Sequence, residues 1–229
     1  MKKSIFGAII LGFSTLSVQA QIAAGTKLLS GSIGYSRQKQ EQSVSLPGIS
    51  TMEIKNETAY FTPSVGYFVA DNLALGISAG ASLNKSQGYY YVNSPYGPTY
   101  VPTENKTRSL SGGLFGRYYK FVGEKFALYG QLGGGYQNIY TSGNTANGFP
   151  RGADNRQEGF YASLLPGIVF FPTNKLGLEL TLRGATYNRL TDKRDTSGSG
   201  IEVKNTTSNL DLGFGLNDLN LGISLYLGR

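Results

Sequence analysis

Arg117, Gln131, Glu179 and Arg183 are charged and amide side chains set among the apolar stretches of this chain. Each falls in a stretch of apolar and small residues that alternates with a period of two. A guanidinium and a carboxylate in such surroundings must be paired or hydrated, because an isolated charge taken out of water is too costly to keep. Arg117 and Glu179 lie at comparable distances from the short polar segments nearest them, so a pair between them is feasible. Such a pair serves either as a gate on a weak conduction path or as a fixed polar plug, and the plug is the preferred reading. Catalysis has little to work with. The sequence holds no histidine and no cysteine. That removes the commonest general base, the commonest zinc ligand and every thiolate. The carboxylates Asp192, Asp195 and Glu202 could in principle act as acid and base. They stand beside Lys193, Arg194 and Lys204, which reads as a solvated loop. Gly112-Gly113 and Gly133-Gly134-Gly135 precede no Lys-Ser/Thr and open no helix, so they are not phosphate cradles. Glycine there relieves crowding between neighbouring backbones. No enzyme activity, metal or cofactor is expected.

The elements that must position these residues read as strands throughout. Eight segments alternate. Leu29 to Ser36, Ala59 to Val69, Leu73 to Asn84, Leu110 to Tyr118, Phe126 to Gln137, Phe160 to Phe170, Leu176 to Arg183 and Leu219 to Leu227 each place apolar residues on one face. Their other face carries Gly, Ser, Thr, Asn, Gln and Tyr. Alternation of this kind marks strands with two different surroundings. Arg117, Gln131, Glu179 and Arg183 all fall on the polar face. Leu210 to Leu216 is out of phase with Leu219 to Leu227. A β-bulge at Asn217-Asp218 restores the facing and is preferred over a tight hairpin there. Connections alternate between short ones (70–72, 122–125, 172–175) and long polar loops at 37–57, 85–107, 141–157 and 189–206.

Residues 1–20 carry a basic start at Lys2 and Lys3, an apolar run from Ile5 to Leu16 and small residues at Val18 and Ala20. This is the pattern of a cleaved secretory signal peptide, too short to span a bilayer as a helix. Residues 21–229 then form one domain. Segments of this length with short turns at one end and long loops at the other predict an all-β fold, an eight-stranded antiparallel up-and-down transmembrane barrel. Tyr67, Phe68, Tyr118, Tyr119, Phe121, Phe126, Phe170 and Phe171 flank the short turns and are expected to form an aromatic girdle. Eight strands enclose a lumen that side chains can fill, so an open pore is not expected.

The stretch Gly66-Tyr-Phe-Val-Ala-Asp-Asn-Leu-Ala-Leu-Gly76 resembles the strand–turn–strand signature of the small outer-membrane β-barrel domain family, the OmpA/OmpX-like group. Arg117-Tyr-Tyr-Lys-Phe121, Leu132 to Tyr136 and Leu219 to Leu227 are similar to later parts of that pattern. The resemblance implies an outer-membrane location and handling by the barrel-assembly machinery. Members commonly end on an aromatic residue, whereas this chain ends Tyr226-Leu227-Gly228-Arg229. The expected role is structural or one of surface interaction, without catalysis. Alternatives are a narrow channel for small or hydrophobic solutes and a soluble periplasmic ligand-binding barrel. The net charge of +7 comes without long basic runs. Lipopolysaccharide rather than nucleic acid is therefore the expected anionic partner. Tyr89, Tyr90, Tyr91, Tyr96 and Tyr100 make one loop tyrosine-rich, a candidate contact surface for a surface ligand.

Overall fold

The structure, a computed structural model, describes residues 21–46, 49–94, 97–145, 154–195, 202–215 and 219–229. Ten strands are present: β1 (Lys27–Leu46), β2 (Ile49–Ala70), β3 (Leu73–Ser94), β4 (Gly97–Phe121), β5 (Phe126–Thr145), β6 (Asn155–Thr173), β7 (Leu176–Leu182), β8 (Gly184–Asp195), β9 (Glu202–Gly213) and β10 (Leu219–Leu227). Each of β1 to β6 pairs antiparallel with the next. Then β6 pairs with β7, β7 with β10, and β10 returns to β1. The ring is therefore an eight-stranded antiparallel barrel. Strands β7 and β8 both run antiparallel to β6 and form one stave, and β9 and β10 form another in the same way.

Side chains sort as the period of two requires. Ile33, Phe61, Ile77, Leu114, Leu132, Leu164 and Ile223 point outward and are exposed. Ser30, Thr62, Ser78, Ser111, Gln131 and Ser163 line the lumen. An apolar exterior around a polar interior is the reverse of a soluble lipid-carrying barrel.

Three features depart from expectation. First, the described residues of the segments 37–57, 85–107, 141–157 and 189–206, expected as loops, are largely continuations of the strands into tall hairpins. Their alternation is polar against polar, so no hydrophobic period marks them. Backbone ladders and cross-strand ion pairs such as Arg37–Glu57 at 3.3 Å and Lys39–Glu53 at 3.1 Å hold them instead. Second, the expected girdle divides by parity. Tyr67, Tyr118 and Phe126 face outward, while Phe68, Tyr119 and Phe171 are buried inside. Third, the stave of β7 and β8 reverses its facing. Leu178 points out in β7, yet Tyr187 points out in β8.

The reversal has a local cause. Proline has no N–H to give a ladder, and Pro166 occupies the point where β6 changes partner from β8 to β7. Gly184 turns the chain there with φ of 64°. A Cβ at Gly184 would lie 2.1 Å from the Leu164 carbonyl oxygen, so this position requires glycine. On the next stave, register resumes at Leu182↔Leu219 after Gly184↔Gly213, so one chain position, Arg183, separates the two registers on one strand and five, 214–218, separate them on the other. Asn217 and Asp218 lie outside the described residues. The strands flanking them run in the same direction, which excludes a hairpin between β9 and β10.

Close approach of β4 and β5 explains the glycine run. A Cβ at Gly135 would meet the Gly112 oxygen at 2.1 Å and the Gly113 Cα at 2.5 Å, while one at Gly130 meets nothing within 4 Å. Overpacking of this kind costs about 1–3 kcal/mol. Gly135→Ala should lower unfolding stability by that amount in urea titrations of the refolded barrel, with Gly130→Ala close to wild type.

Candidate functional site

The lumen is the one place where charged side chains are buried together among the described residues. Arg117 on β4 and Gln131 on β5 are direct register partners. Glu179 comes from β7, two staves beyond β5. The Arg117 Nη1 lies 2.7 Å from Glu179 Oε1, and both side chains are under one-tenth exposed, at 7% and 6%. Arg117 Nε donates to Gln131 Oε1 at 2.8 Å, and its Nη1 donates to the Tyr119 hydroxyl at 3.1 Å. Tyr129 donates to Glu179 Oε2 at 3.4 Å and shares a very short hydrogen bond with Thr181. The guanidinium also lies 4.5 Å from the Tyr129 ring centroid, a favourable cation–π position. Three of the residues read from the sequence thus meet in one network.

Arg183 stands apart from it. Its Nη1 donates to Asp211 Oδ2 at 3.2 Å, and both side chains are about half exposed. The facing reversal at Gly184 turns the chain before Arg183 can follow Glu179 and Thr181 into the lumen. Simple extrapolation of the β7 alternation could not anticipate that.

Below the ion pair, aromatic rings fill the barrel. Phe68, Tyr119, Phe171 and Tyr226 pack with centroids 5.1 to 6.2 Å apart, the spacing of favourable ring pairs. Tyr226 donates to the Tyr119 hydroxyl and receives from Ser224, both at 3.2 Å. Ile22 closes the mouth from the N-terminal segment, its N–H donating to Asn72 Oδ1 at 3.0 Å. Arg229 lies 4.3 Å from the Phe171 ring centroid. Sequence reading assigned several of these rings to a girdle. Their shared parity with Arg117 and Gln131 was the signal that could have placed them inside. Tyr226, considered as a terminal aromatic, is fully buried, and Leu227 is the last outward side chain.

Above the ion pair the lumen holds a cavity of about 470 Å³. Its walls carry many Ser, Thr, Gly and Ala residues beside the larger Tyr60 and Tyr161: Ser30 and Ser64 share a hydrogen bond at 2.6 Å, and Ser32 and Thr62 one at 2.7 Å. The only charges on it are Arg117 and Glu179, which neutralise each other.

The tyrosine-rich segment is the hairpin of β3 and β4. Tyr89 is exposed and Tyr100 is half-buried. Tyr90 and Tyr91 lie on β3 opposite Val101 and Tyr100, while Tyr96 lies outside the described residues. Lower on the hairpin, Glu104 sits 2.8 Å from Lys106, 2.7 Å from Gln87 and 3.2 Å from Lys85. The hydrogen bond from Lys106, followed by those from Gln87 and Lys85, holds its pKa down at about 2. Asp192 is buried, Asp195 and Glu202 are register partners on β8 and β9, and the side chains of those two lie outside the described residues. Among the described residues no group of acidic residues could hold a metal ion.

No protein-family model matches the chain, and no curated protein matches it in sequence. Solved structures do. The outer membrane protein OprG from Pseudomonas aeruginosa is 14% identical with a TM-score of 0.49, covering 90% of this chain and 98% of that one. The N-terminal β-barrel domain of Pseudomonas aeruginosa OprF is 12% identical with a TM-score of 0.40, covering 89% and 98%. Neisserial surface protein A is 15% identical with a TM-score of 0.38, covering 88% and 97%.

Removing one partner of a buried ion pair strands the other, at about 3–5 kcal/mol. Glu179→Ala should lose that much stability in urea unfolding, and the double replacement Arg117→Met with Glu179→Leu should recover most of it. Glu104 has a second signature. Its folded pKa is depressed from the ordinary 4.5, so its contribution is complete above about pH 4.5 and is lost as pH falls toward 2. Carboxyl carbon NMR should show Glu104 titrating near pH 2, and Lys106→Met should move that midpoint upward.

Proposed function

We propose that this chain is an integral outer-membrane protein with a structural or surface-interaction role and no catalysis. The observation that carries this reading is the outward band of Leu, Ile, Val and Phe around a ring whose lower lumen is filled. In hydrocarbon every backbone polar group must be satisfied internally, and a closed barrel is one of two ways to do it. On β1 the band runs from Leu29 to Tyr35, and Arg37 begins the charged hairpin above it. With the short turns toward the periplasm, the tall polar hairpins stand outside the cell. Residues 1–20 act as the cleaved export signal, and the barrel-assembly machinery inserts the remainder.

The hairpins supply the contact surface. Lys85, Lys106 and Arg156 lie on them beside acidic neighbours, and Arg108 lies on β4 opposite Tyr140. This mixed but net-basic surface suits the phosphates of lipopolysaccharide. Tyr89 and Tyr100 offer aromatic contact area to a surface ligand. A narrow channel is the second reading, favoured by the cavity above the ion pair. The aromatic floor argues against through-conduction, because Tyr119, Tyr226, Phe68 and Ile22 leave no exposed surface beneath it.

The first measurement is a heat-modifiability gel on the washed outer-membrane fraction. A folded membrane barrel migrates differently until boiled, and recovery in the soluble periplasm without a shift would refute the placement. Planar-bilayer recordings should then show negligible conductance for wild type. Discrete steps that change in Glu179→Gln would establish the channel instead.

A further inference from the structure

The barrel wall is incomplete on one side. Strand β10 pairs with β1 only from Lys27↔Leu227 to Gly31↔Ile223. If that ladder continued, Ser32 would face Gly222, Ile33 would face Leu221, and Gly34 would face Asn220. It does not continue. Above Gly31 the described residues of β1 pair with β2 alone, β10 pairs there with β7 alone, and β9 pairs with β8 alone. Side-chain exposure agrees. Ile33 at 79% and Leu221 at 73% are the two most exposed large apolar residues described. Ile77 and Leu114, outward register partners within a closed ladder, stand lower at 61% and 69%. From Tyr35 upward β1 is exposed on both faces, and so is β9 from Lys204 to Leu212.

The gap is spanned from within. The Tyr60 side chain lies across Gly34, where a Cβ would meet its ring at 2.2 Å. Its hydroxyl donates to Asn220 Oδ1 at 3.5 Å. Tyr60 is the register partner of Gly34 on β2. Its ring therefore passes behind β1 and touches the residue that β1 itself fails to pair with.

We propose that this seam is a lateral portal joining the lumen to the bilayer, and that it holds a single-chain amphiphile with an uncharged, hydroxylated head. Its head occupies the cavity and its alkyl chain leaves between Ile33 and Leu221. Four observations specify this occupant. The cavity volume falls in the range of small-molecule sites. Its walls offer hydroxyl and amide groups, and its two charges are already paired, so a neutral head is favoured over an ionic one. The lips of the seam are apolar and lie within the outward band. Finally, unpaired strand edges in hydrocarbon are unfavourable, and a hydroxylated head lodged in the cavity offers hydrogen-bond partners to them from the lumen side.

The proposal rests on the membrane placement above, which the heat-modifiability gel tests separately. The experiment uses the barrel in nanodiscs of deuterated phosphatidylcholine, with n-octyl β-D-glucoside as probe and methyl β-D-glucoside as the tail-less control. Nuclear Overhauser contacts are expected from the sugar ring to the Thr62 and Thr186 methyls, and from the octyl chain to the Ile33 and Leu221 methyls. The chain has no cysteine, so Ile33→Cys with Leu221→Cys can be bridged across the seam by a short bismaleimide after folding, with the heat shift confirming an intact barrel. Bridging should abolish the lumen contacts of the octyl probe, and Tyr60→Phe should raise its exchange rate several-fold. Equal lumen contacts from the methyl control, contacts that survive bridging, or contacts confined to band methyls such as Leu114 and Leu128 would each overturn the proposal.

Discussion

Five register pairs, from Lys27↔Leu227 to Gly31↔Ile223, make this sheet a ring. Without them β1 and β10 would both be free edges along their whole length, and the outward apolar face would have no closed surface to occupy. Closure at eight strands also sets the interior. The lumen is only as wide as side chains can fill, so whatever points inward must interlock or hydrate. The aromatic floor and the Arg117–Glu179 pair are the lower solution to that demand, and the serine- and threonine-lined cavity is the upper one. The same few pairs explain why the wall opens where it does, since nothing replaces them above Gly31.

The ion pair belongs to this economy of space. Arg117 donates to Glu179, Gln131 and Tyr119 while resting on the Tyr129 ring. Charges so enclosed add little net stability compared with a well-packed apolar set. Their effect is to fix which strands face each other across the lumen. Gln131 sits one stave from Arg117, and Glu179 sits three staves away, so a slip in any intervening register would separate them.

Much of this was legible before any coordinates. Strict alternation identified the eight staves, and the parity of Arg117, Gln131 and Glu179 placed them on one inner face. What escaped has physical causes. The hairpins above the band keep a strand backbone with polar residues on both faces, so hydropathy carries no period there. Tyr119 and Phe171 resemble girdle residues by composition, and only parity separates them from Tyr118 and Phe126. Arg183 escaped because a positive-φ glycine beside Pro166 reverses the facing within a single residue. The Tyr-rich hairpin was visible as composition, but its tip lies outside the described residues.

The mismatch at Arg183, one residue against the five of 214–218, bears on how such a wall tolerates length change. Elsewhere in the ring, inserting or deleting one residue would turn every following side chain inside out. Here the parity change is already absorbed on two adjoining staves at the same height. This is the place where an odd number of residues can be gained or lost and both halves keep their faces. The wall carries its own expansion joint, and the tall hairpins above it can change length while the ring below stays as it is.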